Sequence, residues 1–221
     1  MSAPQPAAPP GRVVLDGRYT RIEPIAQAHA ADLFAAADPE RFRYLSQVPP
    51  VDVADMSRWI EGAAASPDPM YFTVIDKATG RAEGRHSLMR IDPTNAVIEL
   101  GGIYWGPRMS RTRVATEAFY LMARHIFEDL GNRRFEWKCN HLNEPSKRAA
   151  LRFGFTYEGL FRQHMIFKGE NRDTAWYSML DGEWPARKAE FERWLDPGNF
   201  DADGRQKSPL QLLQRRSSPA S

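Results

Sequence analysis

The sequence predicts an α+β domain built on one mixed, mostly antiparallel sheet of about seven strands flanked by helices. Three observations carry this expectation. From Tyr71 to Trp105, apolar residues alternate with a period of two between turn signals, the pattern of a meander. An apolar stripe at helical spacing then follows, formed by Ala115, Ala118, Phe119, Met122, Ile126 and Leu130. After Gly131, strand-like and helix-like segments alternate and end in a hairpin.

In chain order, Val13–Leu15, Asp16-Gly17 and Tyr19–Ile22 read as strand, tight turn and strand. Gln27–Ala37 and Asp55–Ala65 read as helices, the second capped by Asp52. Tyr71–Ile75 and Arg85–Ile91 are strands separated by a turn at Lys77–Gly80. Asp92-Pro93-Thr94-Asn95 is a turn by composition. Val97–Trp105 is the next strand, and the Gly101-Gly102 pair inside it points to a bulge or a close backbone approach by a ligand. Val114–Leu130 is the long helix, stopped by Gly131. Arg134–Cys139 is a short strand. Asn143 then caps a helix with Pro145 in its first turn, and Gly154 ends it. Phe155–Phe167 and Arg172–Leu180 form the hairpin, turning at Lys168-Gly169-Glu170-Asn171, and Trp184–Leu195 is a last helix. Domain boundaries follow: a disordered segment over 1–11, the folded domain over 12–197, and a tail over 198–221.

The 221 residues, 42% apolar and 26% charged, suffice for a sizeable core. Net charge is +2, and the tail carries that excess through Arg205, Lys207, Arg215 and Arg216 against Asp201 and Asp203. A near-neutral body argues against a specific nucleic-acid surface. The lone Cys139 excludes an internal disulfide and reads as a packed strand residue in a reducing compartment. Met1–Gly11 lacks the charged and apolar regions of a signal peptide, and no apolar run is long enough to span a bilayer. A cytoplasmic protein is the expectation. No His, Cys and acidic cluster has metal-ligand spacing, so no metal is expected.

The stretch Ile98-Glu99-Leu100-Gly101-Gly102-Ile103-Tyr104-Trp105-Gly106-Pro107, followed by Val114-Ala115-Thr116-Glu117-Ala118, resembles the fourth strand and following helix of the GNAT (GCN5-related) N-acetyltransferases. Asn140-His141-Leu142-Asn143-Glu144-Pro145-Ser146, Arg152-Phe153-Gly154-Phe155 and Tyr157-Glu158-Gly159 resemble that family's second half, in its branch of ribosomal-protein N-acetyltransferases. The similarity covers about Arg18 to Trp184. It implies acetyl-CoA as co-substrate and a V-shaped opening between the fourth and fifth strands of the family's sheet. It also implies direct attack by a primary amine in a ternary complex. Two departures stand out. Arg111 and Arg113 occupy the loop where the family has glycines, and Ala150 stands near the place of a tyrosine that protonates the leaving thiolate.

Candidate roles follow from chemistry and resemblance together. Ile103, Tyr104 and Trp105 would align the pantetheine arm. Arg108, Arg111, Thr112, Arg113, Val114, Ala115 and Thr116 would hold the pyrophosphate, because a helix start offers free N–H groups and a favourable dipole, and guanidinium forks suit phosphate. The loop arginines fit if their backbone angles are ordinary and their side chains swing outward. Asn140 and Asn143 would bond pantetheine amides, Asn143 being equally well explained as a helix cap, and the resemblance places Ser146 near the sulfur, as a catalytic group that would donate to the leaving thiolate. Glu99 is either the catalytic base or a plain exposed strand carboxylate, depending on register. His86, Arg90 and Tyr104 are candidates to face the acceptor. That acceptor is a protein N-terminal α-amine or a small-molecule amine. At pH 7, freeing an α-amine costs about 1 kcal/mol and a lysine about 4.6 kcal/mol, so the first needs only a modest base. The alternative is a coenzyme A-binding protein of the same fold without activity. A homodimer is left open.

Overall fold

The computed structural model describes residue 3 and residues 5–212. The element order is β1 (Leu15–Asp16), β2 (Thr20–Pro24), α1 (Ala30–Ala35), α2 (Val53–Ala65), β3 (Met70–Asp76), β4 (Arg81–Asp92), β5 (Val97–Trp105), α3 (Arg113–Arg124), β6 (Arg134–Asn140), α4 (Glu144–Arg152), β7 (Thr156–Phe167), β8 (Glu170–Leu180) and α5 (Trp184–Leu195). The fold is α+β with eight strands rather than about seven, the shortest being the two-residue β1. The chain falls into two compact units, Met1–Phe135 and Glu136–Ser221.

In the first unit β1 to β5 form an antiparallel meander in sequence order. Its period-two pattern sorts the side chains. Phe72, Val74, His86, Leu88, Ile98 and Leu100 are enclosed, while Tyr71 and Ile75 turn toward a cluster of Ile25, Leu33, Met56 and Ile60 from the α1–α2 region. Asp52 caps α2 by accepting from the Asp55 N–H at 2.6 Å. The expected Val114–Leu130 helix is α3 continued by a π turn over His125–Asp129, with the Leu130 N–H reaching the His125 carbonyl at 3.0 Å. Gly131 then supplies a left-handed φ of 74°.

In the second unit β7 pairs antiparallel with β8, and the strand order is β6-β8-β7. The hairpin turns at Lys168 and Gly169, with φ of 52° and 81°, so Glu170 and Asn171 belong to β8 instead of the turn. Asn143 caps α4, accepting from the Ser146 N–H at 3.2 Å. Phe153, Phe155 and Phe191 are buried around Trp137 or one another.

Described parts of both expected loose ends pack against the fold. Ala7 is buried, its N–H donates to the Pro93 carbonyl at 2.9 Å, and the Ala8 N–H donates to Leu130 at 2.8 Å. Two backbone bonds and a buried methyl hold this stretch down, so Pro/Ala composition alone did not make it disordered. Residues 198–212 also pack. Phe200 is buried edge-on against Trp194, and the Trp194 indole donates to Gln206 at 2.8 Å. The rest of the expected tail, 213–221, lies outside the described residues, as do positions 1, 2 and 4.

Candidate active site

In the first unit the site grows from a break in the β4–β5 ladder. Ser87 pairs with Gly101 and Arg85 with Tyr104, so the single residue His86 faces both Gly102 and Ile103. The extra residue makes a bulge in β5, and Gly102 takes it at φ 56°. A side chain would be crowded at both glycines: a Cβ on Gly102 would lie 2.9 Å from Ser87 Oγ at a φ that side chains rarely adopt, and one on Gly101 would meet the Met89 side chain. The glycine pair therefore marks the bulge, one of the two readings that the sequence left open.

Glu99 precedes the bulge, opposite Met89. It is 2% exposed, and its Oε2 accepts from Arg90 Nη1 at 2.7 Å. This disposes of the reading as a plain exposed strand carboxylate. Arg90 sits at a second irregularity, in β4, with φ 48°. The structure thus gives Arg90 a specific task, the partner of Glu99, while leaving its side chain 45% exposed.

His86 and Tyr104 do not stand as acceptor-facing groups. His86 is fully enclosed, directly opposite Phe72 and on the same face as Leu88, because strand alternation places it inward. Among the described residues neither ring nitrogen has a hydrogen-bond partner. The Tyr104 hydroxyl accepts from the Asp38 N–H and donates to the Ala36 carbonyl, both at 2.7 Å, which ties β5 to the segment after α1. Burial raises its pKa.

The enclosed His86 makes stability depend on pH. Burial pushes its imidazole from 6.5 to about 3, so the folded state stays neutral where the unfolded chain binds a proton. This contribution is fully present above 6.5 and is lost as pH falls toward 3. Between pH 7 and pH 5 that linkage amounts to about 2 kcal/mol. Denaturant unfolding at the two pH values should show wild type losing that much more than His86→Leu. Parallel losses in the two proteins would contradict the assignment.

The loop from Gly106 to Thr112 leads from β5 into α3. Arg108 Nε donates to both oxygens of buried Glu83, at 2.9 and 3.0 Å. Arg113 lies over the Tyr19 ring at 4.4 Å. Arg111 is exposed, with φ 65°. This corrects the expectation of ordinary backbone angles there: the chain keeps a left-handed turn that suits glycine even though the residue is arginine, at a cost of about 1–2 kcal/mol. The Thr112 hydroxyl donates to the Met109 carbonyl at 2.6 Å and does not cap α3. The first N–H groups of α3 thus have no side-chain cap, and Val114, Ala115 and Thr116 are buried at its start. Ile103 and Trp105 are half-buried.

In the second unit the Asn140 side chain accepts from the Leu142 N–H at 2.9 Å, within the turn before α4. Ser146 Oγ accepts from Trp137 Nε1 at 3.0 Å. Burial raises the Cys139 thiol pKa, with a smaller opposing effect from its hydrogen bond to Ser146, so the cysteine is a poor nucleophile. Ala150 is fully buried. Asn140, Asn143 and Ser146 are all therefore engaged locally.

Sequence reasoning missed Arg85 and Gln47. Arg85 is 3% exposed, lies 4.2 Å over the Trp59 ring and 5.6 Å from that of Tyr71, and donates to Gly102 O at 2.7 Å and to the Gln47 amide oxygen. The available signal was an arginine on the Tyr71 face of a strand whose neighbours are nearly all buried.

Among the described residues no helix is long and apolar enough to cross a membrane. The family model for the acetyltransferase (GNAT) domain matches residues 20–156. The chain is 52% identical to a GCN5-related N-acetyltransferase from Brucella melitensis, whose crystal structure superposes with a TM-score of 0.91 over 93% of this chain and 96% of that one. A probable GNAT-family acetyltransferase from Chromobacterium violaceum is 34% identical, with a TM-score of 0.77 over 84% and 94% of the two chains. The putative ribosomal N-acetyltransferase YdaF of Bacillus subtilis is 30% identical over 106 residues, 48% of this chain and 57% of that protein. With the β5 bulge, the uncapped α3 start and a family match over more than half its length, the chain belongs to the GNAT family of acetyltransferases.

Proposed function

We propose that the protein transfers the acetyl group of acetyl-CoA to a primary amine, by direct attack, with Glu99 as the base. The observation that carries this reading is the buried Glu99 carboxylate on the strand that bulges at Gly102 and runs on into an uncapped helix start. Acetyl-CoA supplies the activated acyl group as a thioester. The amine nitrogen attacks the carbonyl carbon, the C–N bond forms and the C–S bond breaks. The amine proton passes to Glu99, directly or through a water, and the sulfur leaves as thiolate to take up a proton. Among amines, the α-amine at a protein N-terminus is favoured, since it needs the weaker base. A relative bearing the name of a putative ribosomal N-acetyltransferase is in keeping with a protein acceptor.

The α3 start and the loop before it suit a pyrophosphate. The first N–H groups of α3, which no Thr112 side-chain bond caps, meet the helix dipole there, and exposed Arg111 adds a guanidinium. Calorimetry should show acetyl-CoA binding to wild type, with Arg111→Ala at least about tenfold weaker and 0.5 M salt reproducing much of that loss. Equal affinity in the variant would make Arg111 a solvated residue only. Binding without thiol release, across a panel of amines, would instead favour a coenzyme A-binding protein that no longer catalyses.

A further inference from the structure

Arg85 is a buried cation with no carboxylate partner among the described residues. Its two hydrogen-bond acceptors, Gly102 O and the Gln47 side chain, are neutral. Its flat faces meet Trp59 and Tyr71. Other cations of the first unit that meet buried carboxylates differ: Arg90 has Glu99 and Arg108 has Glu83. A guanidinium removed from water ordinarily demands an anion, and a planar one favours a two-pronged carboxylate. The aromatic walls fix its orientation but do not neutralise it.

Two further features say what the missing anion is. Arg85 lies on the same face of the sheet as Glu99. The pairs Arg85–Tyr104, Ser87–Gly101 and Met89–Glu99 follow one another along the ladder. Arg85 and Met89 are four residue steps apart along the strand, about 13 Å at ~3.3 Å per residue. Gln47, moreover, is carried by the segment between Phe42 and α2, where Val48 and Val51 are 66% and 81% exposed. A neutral amide from an exposed segment is a displaceable partner.

We propose that Arg85 determines acceptor specificity by receiving a carboxylate carried by the acceptor itself, several bonds from its amine, and that Gln47 fills that position until the acceptor arrives. This rests on the reading of Glu99 as the base for an amine acceptor. The span between the two groups matches a short extended peptide whose acidic side chain lies two to four residues from the free N-terminus.

The test uses the full chain and pairs of short peptides with free N-termini, differing only by Glu against Gln at positions two, three or four. Thiol release gives kcat and KM, and calorimetry with coenzyme A present gives peptide affinity. Wild type should prefer one Glu peptide over its Gln partner by at least tenfold, mainly in KM. Arg85→Gln should abolish the preference, the ratio of kcat/KM for the Glu peptide to that for the Gln peptide falling to about one whatever the absolute rate. Gln47→Glu, which supplies an internal carboxylate and leaves Arg85 in place, should also abolish it. Melting curves of each variant identify any that fail to fold, and Gln47→Glu keeps the proposal testable if Arg85→Gln is one of them. Acetylation of Glu and Gln peptides at equal rates would overturn the role of Arg85 and leave acetyl transfer standing. Tighter binding of the Glu peptide, dependent on Arg85 but without turnover of any amine, would sustain Arg85 and sink the catalytic reading. Absence of carboxylate preference in both assays would overturn the proposal.

Discussion

Glu99→Gln is expected to lower turnover by ~10²–10⁴-fold at neutral pH while leaving acetyl-CoA affinity unchanged. The substitution is nearly isosteric and keeps an oxygen for Arg90, whose side chain is 45% exposed and can be hydrated when the charge is gone. The defect is therefore chemical and not a collapse of the strand. It should shrink as pH rises toward the amine pKa, because an acceptor already deprotonated in water no longer needs a base. Arg90→Ala offers a second measurement. Removing the counterion 2.7 Å away leaves a buried carboxylate that desolvation pushes toward the protonated form. The pH–rate profile of Arg90→Ala should move to higher pH relative to wild type. A Glu99→Gln protein with wild-type rate at pH 7 would remove the residue from the mechanism and leave the acceptor's own equilibrium to supply the free amine.

Much of the architecture behind that prediction was legible before the structure. Val97–Trp105 and Trp184–Leu195 match the observed β5 and α5, since period and punctuation agree at both ends of each. The Gly101-Gly102 bulge was legible because only a glycine tolerates both φ 56° and Ser87 at that distance. Side-chain direction was less accessible. His86, a candidate to face the acceptor, is core, because histidine carries no marker of burial in a strand whose residues from Ala82 to Leu88 are all buried. Tyr104, a candidate to face the acceptor, is a brace to Ala36 and Asp38, partners 68 and 66 residues away in sequence. Arg85 escaped for the opposite reason. Its partner Gln47 and its aromatic walls come from three separate segments that only the fold brings together.

The arginines at 111 and 113 show what a motif does and does not fix. A glycine pattern in a relative reports a backbone conformation, and that conformation survives at Arg111 with φ 65°. At position 113 no such demand exists, since Arg113 is the first residue of α3. The two departures are thus unequal. Only the first carries strain, and Arg111→Gly is expected to be neutral or stabilising because it relieves a left-handed side-chain clash.

The position of α3, and with it the proposed pyrophosphate site, depends on Glu117, one turn into the helix. Its carboxylate is 5% exposed and accepts three backbone N–H bonds, from Arg18 at 2.9 Å, Tyr19 at 2.6 Å and Thr20 at 2.7 Å. The chain between β1 and β2 is wrapped around this one side chain. Glu117→Ala would leave three donors without their acceptor, each costing about 1–3 kcal/mol when it stays buried, so a loss of about 3 kcal/mol or more is expected. For a chain of this size that lowers the melting temperature by roughly 6–12 °C. Gly17 allows an independent check. A Cβ there would sit 2.5 Å from Glu117 Oε2, so Gly17→Ala should destabilise alone by displacing the carboxylate. In Glu117→Ala the obstructing oxygen is gone, and adding Gly17→Ala should cost much less than it does in wild type. A double-mutant cycle that is additive within about 0.5 kcal/mol would show that the two positions do not communicate. A Glu117→Ala protein melting within a degree or two of wild type would show that water replaces the carboxylate at no cost. If the carboxylate does hold the turn to α3, acetyl-CoA affinity should fall in the same variant at temperatures well below its melting point, because the helix start is then free to shift.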